Sequence, residues 1–335
     1  MRILIAGGAG FLGSHLSRTM LAAGHAVVAV DDLSTGNMAN IADLEDHPHY
    51  RLIESDVAET PSVDVDVIAH LASPASPIDY DAMPVHTMRA NSLGLYRLLD
   101  LATETDARLL FVSTSEVYGD PLVHPQPETY WGNVDPVGPR SCYDEAKRFG
   151  EALLFATRRE SGLQANVVRL FNTYGPDMRR DDGRVIPEMI SAALAGQPLT
   201  VHGDGSQTRS FCYVSDLVAG LMSVLSDEDL DGEVMNIGNP HEITVRELAH
   251  EITDLTGSTA ALRFTSSRPG DPERRRPVID RISDRYGWEP RVSLREGLER
   301  TVDAFRAAES RGGGSGRTPR PKVAVMAATS VTEAA

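Results

Sequence analysis

The N-terminal stretch of the sequence constrains the fold most, because it combines an apolar strand, a glycine-rich turn and an amphipathic helix. Arg2 to Ala6 is a short apolar run, and glycines stand at positions 7, 10 and 13 directly after it. From Ser14 to Ala23 the apolar residues follow helical spacing, and Gly24 ends the run. Such a turn lets the backbone approach a pyrophosphate that binds at the helix N-terminus. Plain strand–helix connections also contain such turns, so the motif alone does not decide.

The next predicted strand, His25 to Val30, ends in Asp31 and Asp32. An acidic residue at this strand end is positioned to bind the adenosine ribose hydroxyls of a dinucleotide. A carboxylate there repels the 2′-phosphate of NADP, and no arginine occurs in residues 33–36. The sequence therefore predicts a dinucleotide site that takes NAD.

Later segments continue the alternation of strands and helices. Buried-looking runs at Val63–Leu71, Arg108–Ser113 and Gln164–Phe171 are separated by predicted helices at Pro84–Thr103 and Ser141–Ser161. This order predicts an α/β fold with a Rossmann-like, doubly wound parallel sheet that binds ligands at the strand C-terminal ends.

Beyond residue 172 the alternation becomes irregular, which predicts a smaller C-terminal substrate-binding domain. We assign residues 1–172 and a returning segment at about 213–240 to the NAD-binding domain, and residues 173–212 and 241–310 to the smaller one. Residues 311–335 mix Arg, Pro and Lys with small residues, and we expect a disordered tail without assigned function.

Charge and cysteine content narrow the class of partner. The net charge of −16 argues against nucleic acid or an anionic membrane as the main partner. Two cysteines, Cys142 and Cys212, are too few for a disulfide framework, and we read Cys142 as a packing residue. No leader precedes the first strand and no apolar run is long enough to span a bilayer, so we expect a cytoplasmic protein. No metal is expected.

The chemistry is concentrated between residues 111 and 149. Tyr143 and Lys147 stand four residues apart in a predicted helix, which puts both side chains on one face. A lysine cation there is expected to lower the pKa of the phenol and make Tyr143 a usable base. Upstream, a strand ends in Thr114, and the Pro- and Gly-rich loop that follows is a usual place for a substrate.

The Tyr-x-x-x-Lys pair, the strand-end Thr114 and the glycine turn together resemble the extended short-chain dehydrogenase/reductase family, over about residues 1–308. Dehydratases of that family place an Asp-Glu pair after the threonine, because a hydroxyl must be protonated to leave. Here the pair is Ser115-Glu116, and serine is not a useful acid, so dehydration is disfavoured.

Several runs are similar to one subfamily, the UDP-glucuronate decarboxylases or UDP-xylose synthases. They are Thr114–Pro121 (TSEVYGDP), His70–Pro77 (HLASPASP), Tyr143-Asp144-Glu145, Phe171–Pro176 (FNTYGP), Asp182–Val185 (DGRV) and Gln207–Ser210 (QTRS). Their number and spread make the match specific.

The resemblance implies a reaction in which a ketone is formed and carbon dioxide is then lost. Tyr143 takes the proton of the sugar C4 hydroxyl, the C4 hydride passes to NAD, Lys147 tunes Tyr143, and Thr114 hydrogen-bonds the same oxygen. The resulting β-keto acid loses its carboxylate because the C4 carbonyl stabilises the enolate. Glu116 orients the sugar or handles a proton. The enolate is protonated at C5, and return of the hydride gives UDP-xylose with NAD retained.

The resemblance also implies the site residues. The implied catalytic residues are Thr114, Glu116, Tyr143, Lys147 and Arg275. The NAD-contacting residues are Gly7, Gly10, Phe11, Leu12, Gly13, Asp31, Asp32, Ser34, Thr35, Gly36, Asp56, Val57, Leu71, Ala72, Ser73, Tyr143 and Lys147. The substrate-contacting residues are Pro74, Asn91, Glu116, Asn172, Arg184, Val201, Arg209 and Arg275. For Asp56 a solvated turn is an equal alternative, and Arg274 and Arg276 are read as surface charges.

Alternatives remain open at this point. Ala90 stands where the family usually has threonine, Arg89 where it has lysine, and Asp32 where it has asparagine. These differences could alter cofactor retention, so release of UDP-4-keto-pentose is one alternative product. A nucleotide-sugar 4-epimerase is a second enzyme alternative, and a non-catalytic NAD-sensing protein is a third reading. The helices Pro84–Thr103 and Ser141–Ser161 could form a four-helix homodimer interface, as in the family.

Overall fold

A computed structural model describes residues 1–266 and 272–310. The strands within these residues are β1 (Arg2–Ala6), β2 (Ala26–Asp31), β3 (Tyr50–Glu54), β4 (Val67–His70), β5 (Arg108–Thr114), β6 (Ala165–Leu170), β7 (Thr173–Tyr174), β8 (Leu199–His202), β9 (Thr208–Ser210), β10 (Cys212–Tyr213), β11 (Val234–Ile237), β12 (Glu242–Thr244), β13 (Leu262–Thr265) and β14 (Arg274–Arg275). The α-helices are α1 (Phe11–Ala22), α2 (Pro77–Ala82), α3 (Pro84–Asn91), α4 (Leu93–Thr105), α5 (Ser141–Ser161), α6 (Val185–Leu194), α7 (Val214–Leu225), α8 (Val245–Thr256), α9 (Asp280–Tyr286) and α10 (Leu294–Ser310).

Seven strands form one parallel sheet in the order β11-β6-β5-β4-β1-β2-β3. Both faces of this sheet are buried. In β1, Ile3 and Ile5 pack into one core while Leu4 and Ala6 pack into the other, as the alternation of side chains along a strand requires. The predicted doubly wound α/β fold is therefore confirmed, and the strand C-terminal ends share one edge.

Helix α5 begins and ends at the predicted residues, but the predicted helix Pro84–Thr103 is wrong in one respect. It is broken at Ser92 into α3 and α4. The Ser92 backbone has φ −113° and ψ −79°, and its hydroxyl donates to the Met88 carbonyl at 2.7 Å. A serine that bonds back to the preceding turn competes with the regular helical pattern.

Three small sheets lie outside the large one in the described part of the chain: β10-β7, β12-β9-β14 and β13-β8. In the second, β14 pairs in parallel with β9, which puts Arg275 opposite Arg209. These strands come mostly from the segments assigned to the smaller domain, whose boundaries stay a prediction. The predicted disordered tail, residues 311–335, lies outside the described residues. Within the described residues, no helix combines the length and apolar character needed to cross a membrane.

Candidate active site

A long cavity runs along the C-terminal edge of the large sheet and receives most of the predicted NAD-contacting residues. Those lining it are Gly7, Gly10, Phe11, Leu12, Gly13, Asp31, Asp32, Ser34, Thr35, Asp56, Val57, Leu71, Ala72, Ser73, Tyr143 and Lys147. Gly36 does not line the cavity. A Cβ built on Gly36 would lie 2.5 Å from a carboxylate oxygen of Asp31, so this glycine makes room for Asp31.

The glycine turn fits a dinucleotide pyrophosphate. Gly7 has φ +86°, and its N–H donates to the Val30 carbonyl at 2.7 Å, which joins the turn to β2. A Cβ on Gly13 would lie 2.0 Å from the Gly7 carbonyl oxygen, so α1 can approach the turn this closely only with glycine there. The turn and the first residues of α1 line the cavity, where the helix N-terminus favours an anion.

Asp31 fits the ribose of the same cofactor. Its carboxylate is buried at the end of β2, where it accepts the N–H groups of Ala9 and Leu33, each at 2.9 Å. Burial raises the pKa of Asp31, and these backbone donors oppose that rise. A carboxylate held by the glycine turn itself places an acceptor for sugar hydroxyls next to the pyrophosphate position.

A residue that the sequence analysis missed, His86 of α3, also lines this end of the cavity. Its Nε2 lies 3.0 Å from a carboxylate oxygen of Asp32. The hydrogen bond to Asp32 raises the pKa of His86 against the effect of burial. One turn further along α3, Arg89 lies 3.8 Å from Asp56. Two charge pairs therefore connect α3 to residues that follow β2 and β3, at the end of the cavity where Asp31 lies.

The predicted catalytic phenol and lysine lie together, and both are buried. The Tyr143 hydroxyl hydrogen-bonds to Thr114, while Lys147 donates to the Val112 carbonyl at 2.8 Å. Burial and the nearby Glu116 charge raise the pKa of Tyr143. Burial lowers the pKa of Lys147 to about 7, although Glu151 opposes that shift. Lys147 is not among the groups that shift the pKa of Tyr143 most, and the expectation that its cation lowers that pKa stays a prediction.

Helix α5, which carries this pair, is fixed to the sheet by a buried ion pair. Glu151 accepts a hydrogen bond from Ser113 at 2.6 Å and lies 2.6 Å from Arg169 of β6. Arg169 in turn donates to the Tyr118 hydroxyl at 3.0 Å. Ser113 directly precedes Thr114, so this network sets the height of α5 relative to the strand end that carries the threonine.

Glu116 lies between two guanidinium groups. Its carboxylate is 2.5 Å from Arg140 and 3.5 Å from Arg275. Burial opposes ionisation of Glu116, but the two arginines outweigh it and lower the pKa to about 2. Glu116 and Arg275 line both the long cavity and a second cavity that adjoins it. The predicted catalytic set is thus brought together around one junction.

The predicted substrate-contacting residues fall into two groups. Pro74, Glu116, Asn172, Arg184 and Arg275 line the long cavity, and Arg209 lines the second cavity. Val201 and Asn91 line neither. Val201 is fully buried in the core, and Asn91 donates to the Ser73 hydroxyl at 2.8 Å from behind the cavity wall.

Residues 3–238 match the NAD dependent epimerase/dehydratase family. The chain belongs to this family. The family predicted from the sequence is confirmed, and NAD is the cofactor.

Relatives of the chain align with nearly its whole length. UDP-glucuronic acid decarboxylase 5 of Arabidopsis thaliana is 49% identical over 91% of this chain and 89% of its own. UDP-glucuronic acid decarboxylase 1 of Danio rerio is 46% identical over 97% of this chain and 77% of its own. Among solved structures, UDP-glucuronic acid 4-epimerase of Bacillus cereus, in complex with UDP-glucuronic acid and NAD, superposes with a TM-score of 0.84. It is 29% identical, and the match covers 92% of this chain and 99% of that one.

Other charged and aromatic groups of this family member's site were missed by the sequence analysis. Arg140 immediately precedes α5 and lines the second cavity, and Asp144 is buried beside Glu116. The Tyr80 ring stacks on that of Tyr143, with centroids 5.3 Å apart and planes 8° from parallel. Arg140 and Asp144 carried one usable signal, since both stand within three residues of Tyr143. Tyr80 comes from α2, and nothing in the sequence pairs it with α5.

Proposed function

We propose that the protein is an NAD-dependent UDP-glucuronate decarboxylase that forms UDP-xylose through a UDP-4-keto-hexuronate. One observation carries the proposal: an ionised Glu116 and two arginines, Arg140 and Arg275, lie next to the Tyr143–Thr114 pair. The decarboxylase relatives at 46–49% identity support the same substrate. The site thus combines the groups that oxidise the sugar at C4 with arginines that can bind its C6 carboxylate.

Tyr143 and Thr114 act on the C4 oxygen. Thr114 hydrogen-bonds the phenol, so a substrate hydroxyl entering this position meets both groups at once. Oxidised NAD, when bound, supplies the hydride acceptor and a positive charge that favours the phenolate. Tyr143 removes the hydroxyl proton and later returns it to the same oxygen, so the phenol ends each cycle as it began.

Arg275 and Arg140 bind the anionic part of the sugar. The carboxylate of UDP-glucuronate becomes a β-keto acid once C4 is a ketone, and the C4–O bond then accepts the electron pair that the leaving carbon dioxide gives up. Arginine forks suit a carboxylate, and a buried site strengthens their attraction. Arg184 lines both cavities and donates to Asp182 through two nitrogens at 2.5 and 2.8 Å, and its predicted contact with the substrate stays a prediction.

Dehydration fits this site poorly. Ser115 is buried at the position where a dehydratase needs an acid, and the pKa of Glu116 is held at about 2 by its arginines. An ionised Glu116 has no proton of its own for a departing hydroxyl. UDP-glucuronate also has a carboxylate at C6, so it offers no C6 hydroxyl to eliminate.

A 4-epimerase is the second candidate, because the Bacillus cereus structure contains the same UDP-sugar and NAD. Sequence identity favours decarboxylation, because the chain is 49% identical to the Arabidopsis thaliana decarboxylase and 29% identical to the Bacillus cereus epimerase. Incubation with UDP-glucuronate, with and without added NAD, followed by NMR of the sugar, separates the products. We expect UDP-xylose. UDP-galacturonate would identify an epimerase, and a ketone or its hydrate as end point would identify release of UDP-4-keto-pentose.

A homodimer through α3, α4 and α5 is part of the proposal. These helices expose apolar side chains: Val85 (69% exposed), Met88 (47%), Leu93 (50%), Tyr96 (48%) and Phe149 (44%). The Tyr96 and Phe149 rings lie 6.5 Å apart and join α4 to α5 in one surface. A second copy of the same surface would cover this patch by two-fold symmetry. The predicted cytoplasmic location stays a prediction.

A further inference from the structure

One fully buried glutamine lies outside the cavities but close in sequence to Glu116. Gln126 stands in the connection between β5 and α5, ten residues after Glu116, and it lines neither cavity. Burial of an amide is costly unless the amide is hydrogen-bonded. The partners of Gln126 therefore indicate its role.

Gln126 binds the segment that carries Arg275. Its N–H donates to the Arg276 carbonyl at 2.9 Å, and its side-chain Oε1 accepts the Arg276 N–H at 2.8 Å. Nε2 of the same side chain donates to the Val123 carbonyl at 2.8 Å, which fixes the orientation of the amide. The Gln126 carbonyl accepts the Val278 N–H at 3.0 Å. One glutamine thus binds both main-chain groups of the residue next to Arg275.

Asn236 connects these hydrogen bonds to the large sheet. This residue is fully buried in β11, and its Nδ2 donates to the carbonyls of Gln126 and Val278, each at 3.0 Å. Its Oδ1 accepts the Tyr118 hydroxyl at 2.8 Å. The segment that follows β14 is therefore fixed relative to the sheet.

Arg275 needs this support because β14 is short. The strand has only two residues and pairs with β9. A slip of one residue would turn the Arg275 side chain to the opposite face of the strand. The two hydrogen bonds between Gln126 and Arg276 fix the register, and with it the Arg275 guanidinium that lies 3.5 Å from Glu116.

The Arg275 side chain keeps a donor for a ligand. It lines both cavities, and its Nε is buried without a hydrogen-bond partner among the described residues. A buried guanidinium with an unpaired N–H suits an anion, and a carboxylate accepts such a hydrogen bond more strongly than a hydroxyl does.

We propose that Gln126 is a positioning residue, which holds Arg275 at the cavity junction and thereby gives the site its preference for a C6 carboxylate over a C6 hydroxyl. The proposal rests on the decarboxylase function. Gln126 acts only through the arginine, because it lines neither cavity. The hydrogen bonds from Arg275 to the carboxylate weaken when the guanidinium moves by about 1 Å.

The test compares wild type with Gln126→Met, which keeps the length of the side chain but removes both polar groups of the amide. UDP-glucuronate is compared with UDP-glucose, which has a C6 hydroxyl in place of the carboxylate. With wild type we expect tighter binding of UDP-glucuronate. With Gln126→Met we expect kcat/KM for UDP-glucuronate to fall by about 10–10²-fold, while the inhibition constant of UDP-glucose and the Kd of NAD stay within about twofold.

Gln164→Met is the matched control. The Gln164 side chain also accepts a backbone N–H through Oε1, from Leu230 at 3.2 Å, and it lines neither cavity. We expect this variant to keep wild-type values for all three ligands.

Two results would overturn the role of Gln126 and leave the decarboxylase function standing. One is an unchanged preference for UDP-glucuronate in Gln126→Met. The other is an equal loss of affinity for all three ligands, which would mark a purely structural residue. Absence of carbon dioxide from wild type would overturn the decarboxylase function and this proposal together.

A second variant decides if Gln126→Met does not fold. In Gln126→Asn the amide is retained, but the side chain is one methylene too short to reach both Arg276 and Val123. We expect the same selective loss of kcat/KM for UDP-glucuronate, and a wild-type preference in Gln126→Asn would contradict the proposal.

Discussion

Neighbouring charges determine which buried ionisable side chains of the site keep their usual protonation state. Burial disfavours ionisation of both Glu116 and Lys147. Two arginines reverse the effect at Glu116, whose pKa is about 2, whereas Glu151 only opposes it at Lys147, whose pKa is about 7. The site therefore holds a fixed anion at Glu116 and a readily deprotonated amine at Lys147.

Tyr143→Phe tests the role of the phenol. The change removes the hydroxyl that receives the C4 proton but keeps the ring that stacks on Tyr80. We expect turnover of UDP-glucuronate to fall by about 10²–10⁴-fold while NAD affinity, measured by calorimetry, stays within about twofold. Tyr96→Phe, on the exposed face of α4, is the control and should keep wild-type turnover. Full activity in Tyr143→Phe would remove this residue from the mechanism.

The Asp32–His86 pair predicts pH-dependent cofactor binding. The hydrogen bond to Asp32 raises the pKa of His86. The His86 ring is therefore protonated and paired with Asp32 below that raised pKa, and the ion pair is lost as the pH rises through it. We expect NAD affinity to fall on the alkaline side by about five-fold, which corresponds to about 1 kcal/mol for a partly exposed pair.

Calorimetric NAD titrations on both sides of neutrality measure this effect. His86→Asn should remove the pH dependence, and His241→Asn, an exposed histidine elsewhere, should keep it. A pH-independent wild type would show that the pair does not contribute to cofactor retention. The sequence analysis marked Asp32 as unusual, but its partner lies on α3, far along the chain, and only the fold brings the two together.

At the level of elements, long periodic segments were predictable and short ones were not. The apolar spacing of α5 and the buried runs of β1 and β5 depend on local sequence, and these elements were found. Strands β9 and β14 are only two or three residues long and form because they pair with each other. No local pattern marks such strands, although they determine where Arg209 and Arg275 lie.

In strand β8 the prediction of a substrate-contacting residue was wrong for a different reason. From the sequence, Val201 of this strand was predicted to contact the substrate. The structure puts Val201 in the core, while its neighbours Thr200 and His202 line the second cavity. Side chains alternate along a strand, so a choice shifted by one residue selects the opposite face.

For the whole molecule, the net charge of −16 does not describe the local charges around the reacting groups. Arg140 and Arg275 form a local positive site around Glu116, buried where the sheet edge meets the small sheets. A local positive site of this kind can bind an anionic sugar in an acidic protein. The surface away from the cavities carries the apolar patch of α3, α4 and α5.

The homodimer prediction is tested on that patch. Tyr96→Asp combined with Phe149→Asp puts charges at its centre, and we expect a wild-type dimer to become a monomer in size-exclusion chromatography with light scattering. Leu122→Asp, at a loop residue that is 82% exposed, is the control and should leave the dimer intact. A wild-type monomer, or a dimer in the double variant, would contradict this interface.

The central claim is that the ketone at C4 is formed so that the C6 carboxylate can leave. The most direct measurement uses UDP-glucuronate labelled with ¹³C at C6, incubated with the protein and NAD in a sealed tube and followed by ¹³C NMR. The account predicts that the label moves entirely into carbon dioxide and bicarbonate, with one equivalent of unlabelled UDP-pentose formed. Retention of the label in a UDP-hexuronate, whether unchanged or epimerised, would contradict it.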